Sequence, residues 1–294
     1  MWVRIFYVSH VKQPSCEPLL KNLMDEDCKS FRDYFFKRAE VSDRLAQGGS
    51  TTDALILSTT SLDALGKVWA HHFAEEANQL ASAYGGGLSD SQRLSHMLNK
   101  FTEPEDNANN IAVVCFAEDW KRAAPRKSSF IDSILLLDRV LACEPRESPR
   151  AYLDVSLDDL LKQHPEIADE PGLARVAQEY HYGAILYRMY RCPLVHSSLH
   201  SSRTHGFART QGVSYWRQSG EATRIGFSPL LVTRWLRQVA AGLTHKCIHS
   251  SINPCSGVDP DAEQRRRLSV LWKKVDSNVT SSNALESRSH MNKS

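Results

Sequence analysis

This 294-residue sequence lacks long apolar runs, CxxC motifs and low-complexity stretches. No apolar run approaches the ~18–20 residues that a membrane-spanning helix needs, so we expect no such helix. Fourteen glycines and twelve prolines are too few for a collagen-like or Pro/Gly-rich chain. The seven cysteines do not show the pattern of a disulfide framework. The apolar start of the chain is interrupted by Arg4 and does not fit a signal peptide. We therefore predict a soluble, cytoplasmic protein with reduced thiols.

The near-neutral total charge of +2 hides an uneven distribution of charge along the chain. Residues 1–170 carry 19 Lys and Arg against 27 Asp and Glu, whereas residues 171–253 carry 10 against only Glu179 and Glu221. Nine of those ten cations are arginine, the side chain best suited to bidentate contact with phosphate. This asymmetry predicts either a surface that binds a polyanion or two oppositely charged regions that attract each other.

Helical periodicity dominates the sequence and predicts a mainly α-helical bundle. Gly48-Gly49 ends one long helix, and Ser228-Pro229 opens the last one by the usual N-cap and N1 preferences. Alternating apolar residues near 207–227 predict one small β-hairpin, and residues 111–122 fit a strand or a helix equally well. The predicted helices span 17–47, 51–84, 89–101, 130–143, 156–163, 171–190 and a last stretch from 228, in one domain of residues 1–253 with a polar, flexible tail at 254–294.

One pair of residues, Arg191 and His196, carries the strongest chemical signal. The two are separated by four residues at the end of the clearest predicted helix, inside the basic block of residues 171–253. An arginine can hold a phosphate and stabilise a charged transition state, and a histidine can donate or accept a proton near neutral pH. These are the minimum groups for RNA cleavage without metal. A straight helix places them about 140° apart, so we expect Pro193 to break or kink the helix between them.

The stretch Tyr187–His196, YRMYRCPLVH, resembles the HEPN superfamily, whose signature is an Arg-x(4–6)-His motif at such a helix end. Residues 53–66 look similar to an early helix of that family, and Asp53 or Asp63 matches the acidic partner of some members. The resemblance implies a helical toxin or defence endoribonuclease that needs no metal or cofactor, with Arg191 and His196 as catalytic residues. It also implies 2′,3′-cyclic phosphate and 5′-hydroxyl ends, a homodimer with two motifs facing one cleft, and a neutralising partner protein.

Cys192 departs from the family pattern, which commonly has Asn or Asp directly after the arginine. A thiol is a poor hydrogen-bond partner, which leaves open a non-catalytic module that binds RNA, a nucleotide or a partner protein. A third interpretation is a helical interaction protein whose acidic and basic regions pack together. Histidine-containing clusters at 71–76 and 245–255 lack the spacing of a metal site, so we predict no metal. The residues predicted to contact RNA are Arg188, Cys192, His200, Arg203 and His205.

Overall fold

The computed structural model describes residues 17–123, 131–135, 153–169, 172–197, 201–205, 212–216 and 221–256. The chain start, His200, most of the predicted helix 130–143 and the chain beyond residue 256 lie outside these ranges. Within them the protein is mainly α-helical with a few short strands, so the predicted fold class is confirmed. No helix in these ranges is both long and apolar enough to cross a membrane.

The structure describes eleven helices and four strands in the ranges given above. The helices are α1 (Glu17–Gln47), α2 (Thr51–His72), α3 (Ala74–Ala83), α4 (Asp90–Phe101), α5 (Val113–Ala123), α6 (Leu157–Gln163), α7 (Glu166–Asp169), α8 (Leu173–Gln178), α9 (Tyr182–Ile185), α10 (Cys192–Ser197) and α11 (Pro229–His249), with a 3₁₀ turn at Pro104–Asp106 and a π-helical turn at Leu186–Arg191. Strands β1 (Asn110–Ile111) and β2 (Val155–Ser156) pair antiparallel, as do β3 (Val213–Trp216) and β4 (Arg224–Phe227). The second pair is the hairpin predicted near 207–227, and the first pair was not predicted.

The main hydrophobic core lies where α1, α2 and α11 pack against one another and α4 packs on α2 and α11. Trp69 of α2 and Trp235 of α11 are fully buried there. A polar contact crosses the three long helices, because the Ser42 hydroxyl lies 2.6 Å from that of Ser58 and 3.2 Å from that of Thr233. These contacts fix the position of α2, which also packs against the π-helical turn.

A second, smaller core joins α5, residues 131–135 and the short helices α6 to α8. Phe116 and Ile167 are fully buried in it. Residues 111–122, which fit either state in the sequence, end a two-residue strand and then form α5. The Val113 amide at the start of α5 has no helical acceptor, and it donates to Asp154 Oδ1 at 3.0 Å.

Two predicted helices are interrupted in the structure. The predicted helix 51–84 divides at Phe73, whose φ of −116° and ψ of 48° are not helical. The predicted helix 171–190 divides at residues 179–181, where the Tyr180 carbonyl accepts the Ala112 amide at 2.9 Å. Hydrogen bonds to a distant segment thus end this helix although its apolar periodicity continues through the break.

Candidate functional site

The predicted catalytic pair lies on a continuous helical segment, residues 182–197, which we call the motif helix; it comprises α9, the π-helical turn and α10. Cys192 is helical, with φ of −65° and ψ of −53°, and its amide donates to the Tyr187 carbonyl five residues earlier. The helix therefore does not break at Pro193 as the sequence suggested. Proline lacks an amide hydrogen and its ring crowds the carbonyl four residues back, and the wider turn before it accommodates both effects.

The side chains of Arg191 and His196 converge at the end of this helix, with Nη1 of the arginine 3.4 Å from Nε2 of the histidine. A guanidinium only donates hydrogen bonds, so Nε2 is the acceptor and we assign the ring proton to Nδ1. His196 is exposed, whereas only 15% of the Arg191 side chain is exposed. The site therefore places an imidazole nitrogen beside a partly buried cation.

Asp63 of α2 pairs with Nη2 of the arginine, the terminal nitrogen that does not face the histidine. Its Oδ2 lies 3.1 Å from Arg191 Nη2 and 3.5 Å from Lys67 Nζ, and only 5% of the Asp63 side chain is exposed. The other carboxylate oxygen of Asp63, and Nε of Arg191, are buried without a hydrogen-bond partner among the described residues. Native proteins rarely leave buried polar atoms unpaired, so two such atoms on one ion pair require an explanation.

Tyr187 and Asp90 extend the site from the motif helix to α4. The Arg191 guanidinium carbon lies 5.5 Å from the centre of the Tyr187 ring, close enough for a cation–π contact. The Tyr187 hydroxyl donates to Asp90, which also pairs with Arg93. Burial and, secondarily, the charge of Asp63 raise the pKa of Tyr187, so the phenol stays protonated and remains a donor.

The other residues predicted to contact RNA have different surroundings. Arg188 pairs with Glu179 at 2.8 Å and is 40% exposed, and Cys192 lies half-buried beside the site. Arg203 is turned inward and pairs with Glu118 at 3.1 Å. Arg203 therefore ties its loop to α5.

His205, the last of these predicted residues that the structure describes, is also turned away from solvent. It is buried against the hairpin, with Nε2 3.2 Å from the Ser214 carbonyl. The His205 side chain therefore contacts the hairpin, and the Arg203 side chain contacts α5.

Sequence reasoning missed Lys67, Tyr187 and Asp90 as members of the site and named Asp63 only beside Asp53. Asp53 lies exposed in the first turn of α2, far along the helix from the site. The missed contact between Tyr187 and Asp90 joins the motif helix to α4 and spans 97 residues. Among the described residues no three His, Cys, Asp or Glu side chains group as metal ligands.

The fold and the site together define a mainly helical protein with a buried arginine–carboxylate pair next to an exposed histidine. No protein-family model matches the chain, and comparison with curated proteins and with solved structures also finds no match.

Proposed function

We propose that this protein is a metal-independent endoribonuclease of the HEPN type, with Arg191 and His196 as its catalytic residues and Asp63 as a positioning residue. The observation that carries the proposal is how the Arg191 guanidinium divides its donors. Nη2 binds a buried carboxylate at 3.1 Å, while Nη1 points at the imidazole at 3.4 Å. Nη2 thus anchors the cation to Asp63, while Nη1 lies next to a group that can act as a base.

This arrangement suits attack by a ribose 2′-hydroxyl on its own 3′-phosphate. A non-bridging phosphate oxygen takes the Nη1 donor in place of His196, which frees the Nε2 lone pair to accept the 2′-hydroxyl proton. The 2′-oxygen bonds to phosphorus, the bond to the 5′-oxygen breaks, and that oxygen takes up a proton from water. The products are a 2′,3′-cyclic phosphate and a 5′-hydroxyl. Arg191 stabilises the charge that gathers on the phosphate oxygens in the transition state.

A non-catalytic binding module is the second candidate, and one observation favours it. Asp63 already neutralises part of the Arg191 charge, and a thiol, Cys192, follows the arginine where the family commonly has Asn or Asp. In that case the site binds RNA, a nucleotide or an acidic partner without cleaving it. A homodimer, a neutralising partner protein and a cytoplasmic location belong to the nuclease proposal as its further parts.

Cleavage of end-labelled single-stranded RNA in EDTA tests the proposal. We expect the wild type to cut and to leave cyclic phosphate ends, and Arg191→Ala and His196→Ala to lose the activity while circular dichroism stays unchanged. The matched controls His164→Ala and Arg122→Ala change a histidine beside Glu166 and an arginine beside Asp119, outside the site, and should keep full activity. Cleavage retained in both site variants refutes the assignment, and salt-dependent binding without products favours the binding module.

A further inference from the structure

Lys67 lies directly beside the proposed catalytic arginine, one helical turn after Asp63 on α2. Its Nζ and Nη2 of Arg191 contact the same oxygen, Oδ2 of Asp63, at 3.5 and 3.1 Å. The ammonium and the guanidinium are therefore neighbours across a single carboxylate. They differ in access to solvent, because the Lys67 side chain is 43% exposed and that of Arg191 only 15%.

The charges in this group do not balance. One carboxylate faces both a lysine and an arginine, which leaves one positive charge of the group uncompensated. An Asp followed four residues later by Lys is also a common helix-stabilising pair, and that explains their proximity along α2. It does not explain why the carboxylate is shared with Arg191 or why its other oxygen is buried without a partner among the described residues.

We propose that Lys67 binds a second phosphate of the RNA, next to the one held by Arg191, so that the substrate is a chain with at least two consecutive phosphates. This inference rests on the proposed nuclease function. Adjacent phosphates of one strand are neighbours in space, and an exposed ammonium beside the buried guanidinium suits a pair of them. An ammonium binds phosphate as a point charge and therefore tolerates varied sequence around the cut.

Three short substrates separate the two phosphate positions. UpU has only the scissile phosphate, whereas pUpU and UpUp add one phosphate on its 5′ or 3′ side. We expect the wild type to cleave one of the extended substrates about five- to tenfold better than UpU in kcat/KM, mainly through KM. Lys67→Met should remove this preference, so that the ratio of kcat/KM between the extended substrate and UpU falls to about one, while Lys67→Arg should retain most of the preference.

Lys162→Met is the matched control, because Lys162 also forms an intrahelical pair, with Asp159 at 3.1 Å, but on α6 and outside the site. It should keep the preference of the wild type. We also expect Lys67→Met to weaken the dependence of KM on salt concentration for the extended substrate, because one contact between charged groups is lost.

The outcomes separate this inference from the proposed function. If the wild type cleaves all three substrates equally, or if Lys67→Met keeps the preference, the second phosphate site is refuted and the nuclease stands. If neither these substrates nor the end-labelled single-stranded RNA is cleaved, the nuclease fails. Lys67 is then tested by the binding of the uncleavable 2′-deoxy analogues, which must favour the extended forms in the wild type and not in Lys67→Met; equal binding refutes the second site as well.

Discussion

The Arg191 side chain performs two tasks at once at the scale of a single residue. Its Nη2 is tied to Asp63, and its Nη1 faces His196. A guanidinium can do this because its donors lie in a rigid plane and point in different directions, whereas a lysine has one compact charge. The buried carboxylate therefore sets the direction in which the arginine presents its remaining donors.

Asp63→Asn tests this anchoring role. The change removes the negative charge from a partly buried ion pair and leaves Arg191 without its counter-charge, so we expect the free energy of unfolding to fall by about 1–3 kcal/mol. We also expect slower RNA cleavage, since the guanidinium loses its fixed orientation. Urea unfolding and single-turnover cleavage measure the two effects.

Asp53→Asn is the control on the same helix, because Asp53 is exposed in the first turn of α2 and should cost no more than about 0.5 kcal/mol. Repeating Asp63→Asn in an Arg191→Met background isolates the pair. In that background Asp63→Asn should lower the free energy of unfolding clearly less than it does in the wild type. An equal cost in both backgrounds shows that Asp63 acts independently of Arg191.

The residues of the site differ in how far the sequence could predict them. Arg191 and His196 lie five positions apart on one helix, so their spacing in the sequence is enough to predict them as a pair. Asp63 and Lys67 are brought to the arginine only because α2 and the motif helix pack together, whereas Tyr187 lies four residues before Arg191 on the same helix. Periodicity shows which face of each helix is apolar, but not which two faces meet. Contacts at such separations depend on the completed fold.

At the scale of helices, apolar periodicity predicted where the helices lie along the chain better than it predicted whether each helix is unbroken. α1 and α4 lie where the spacing placed them, because glycines at 48 and 49 and the Ser89 cap define their ends within the chain itself. The predicted helix 171–190 fails at residues 179–181, since its backbone there bonds to residues 111 and 112. A helix that ends through tertiary hydrogen bonds leaves no signal in its own sequence.

The motif helix depends on one close approach to α4. A Cβ added at Gly183 would lie 2.5 Å from Cα and 2.7 Å from N of Ser95, and this backbone cannot move aside easily. We expect Gly183→Ala to lower the free energy of unfolding by about 1–3 kcal/mol despite the higher helix propensity of alanine. Thermal unfolding followed by circular dichroism measures the loss.

Gly66→Ala is the matched control, because Gly66 also lies within a helix of the same bundle. Its added Cβ would meet only the flexible Arg93 side chain, at 3.3 Å. We expect an effect near zero or slightly stabilising. If both variants unfold at the same temperature, the contact between α4 and the motif helix is looser than the structure indicates.

Across the whole molecule, one buried carboxylate links the two hydrophobic cores. Asp154 is 6% exposed and accepts hydrogen bonds from the hydroxyls of Tyr182, at the start of the motif helix, and Tyr215, in the hairpin. It also accepts the Val113 amide at the start of α5. Three separate elements therefore meet at this side chain, and its protonation state affects how firmly they are joined.

Asp154 should make the stability of the protein depend on pH. Burial raises its pKa to about 7, although the three hydrogen bonds to it oppose this rise. The usual pKa is near 4, so between these values the folded protein binds more protons than the unfolded chain. The contribution of Asp154 to stability is full below about pH 4 and falls as the pH rises to about 7, by at most ~1.4 kcal/mol per pH unit. Urea unfolding of the wild type and Asp154→Asn from pH 4 to 7.5 should show this difference.

His181 supplies a control of opposite sign, because burial lowers its pKa to about 4. The usual value is about 6.5, so the unfolded chain binds the extra proton in this window, and the contribution of His181 falls as the pH drops from about 6.5 to 4. The free energy of unfolding of His181→Gln should therefore lie below that of the wild type near neutral pH and approach it at low pH. That of Asp154→Asn should lie below the wild-type value at low pH and approach it near neutral pH. The stability differences of the two variants from the wild type should therefore change in opposite directions with pH between pH 4 and 6.5. Parallel curves contradict the assignment of a neutral carboxyl at the junction of the cores.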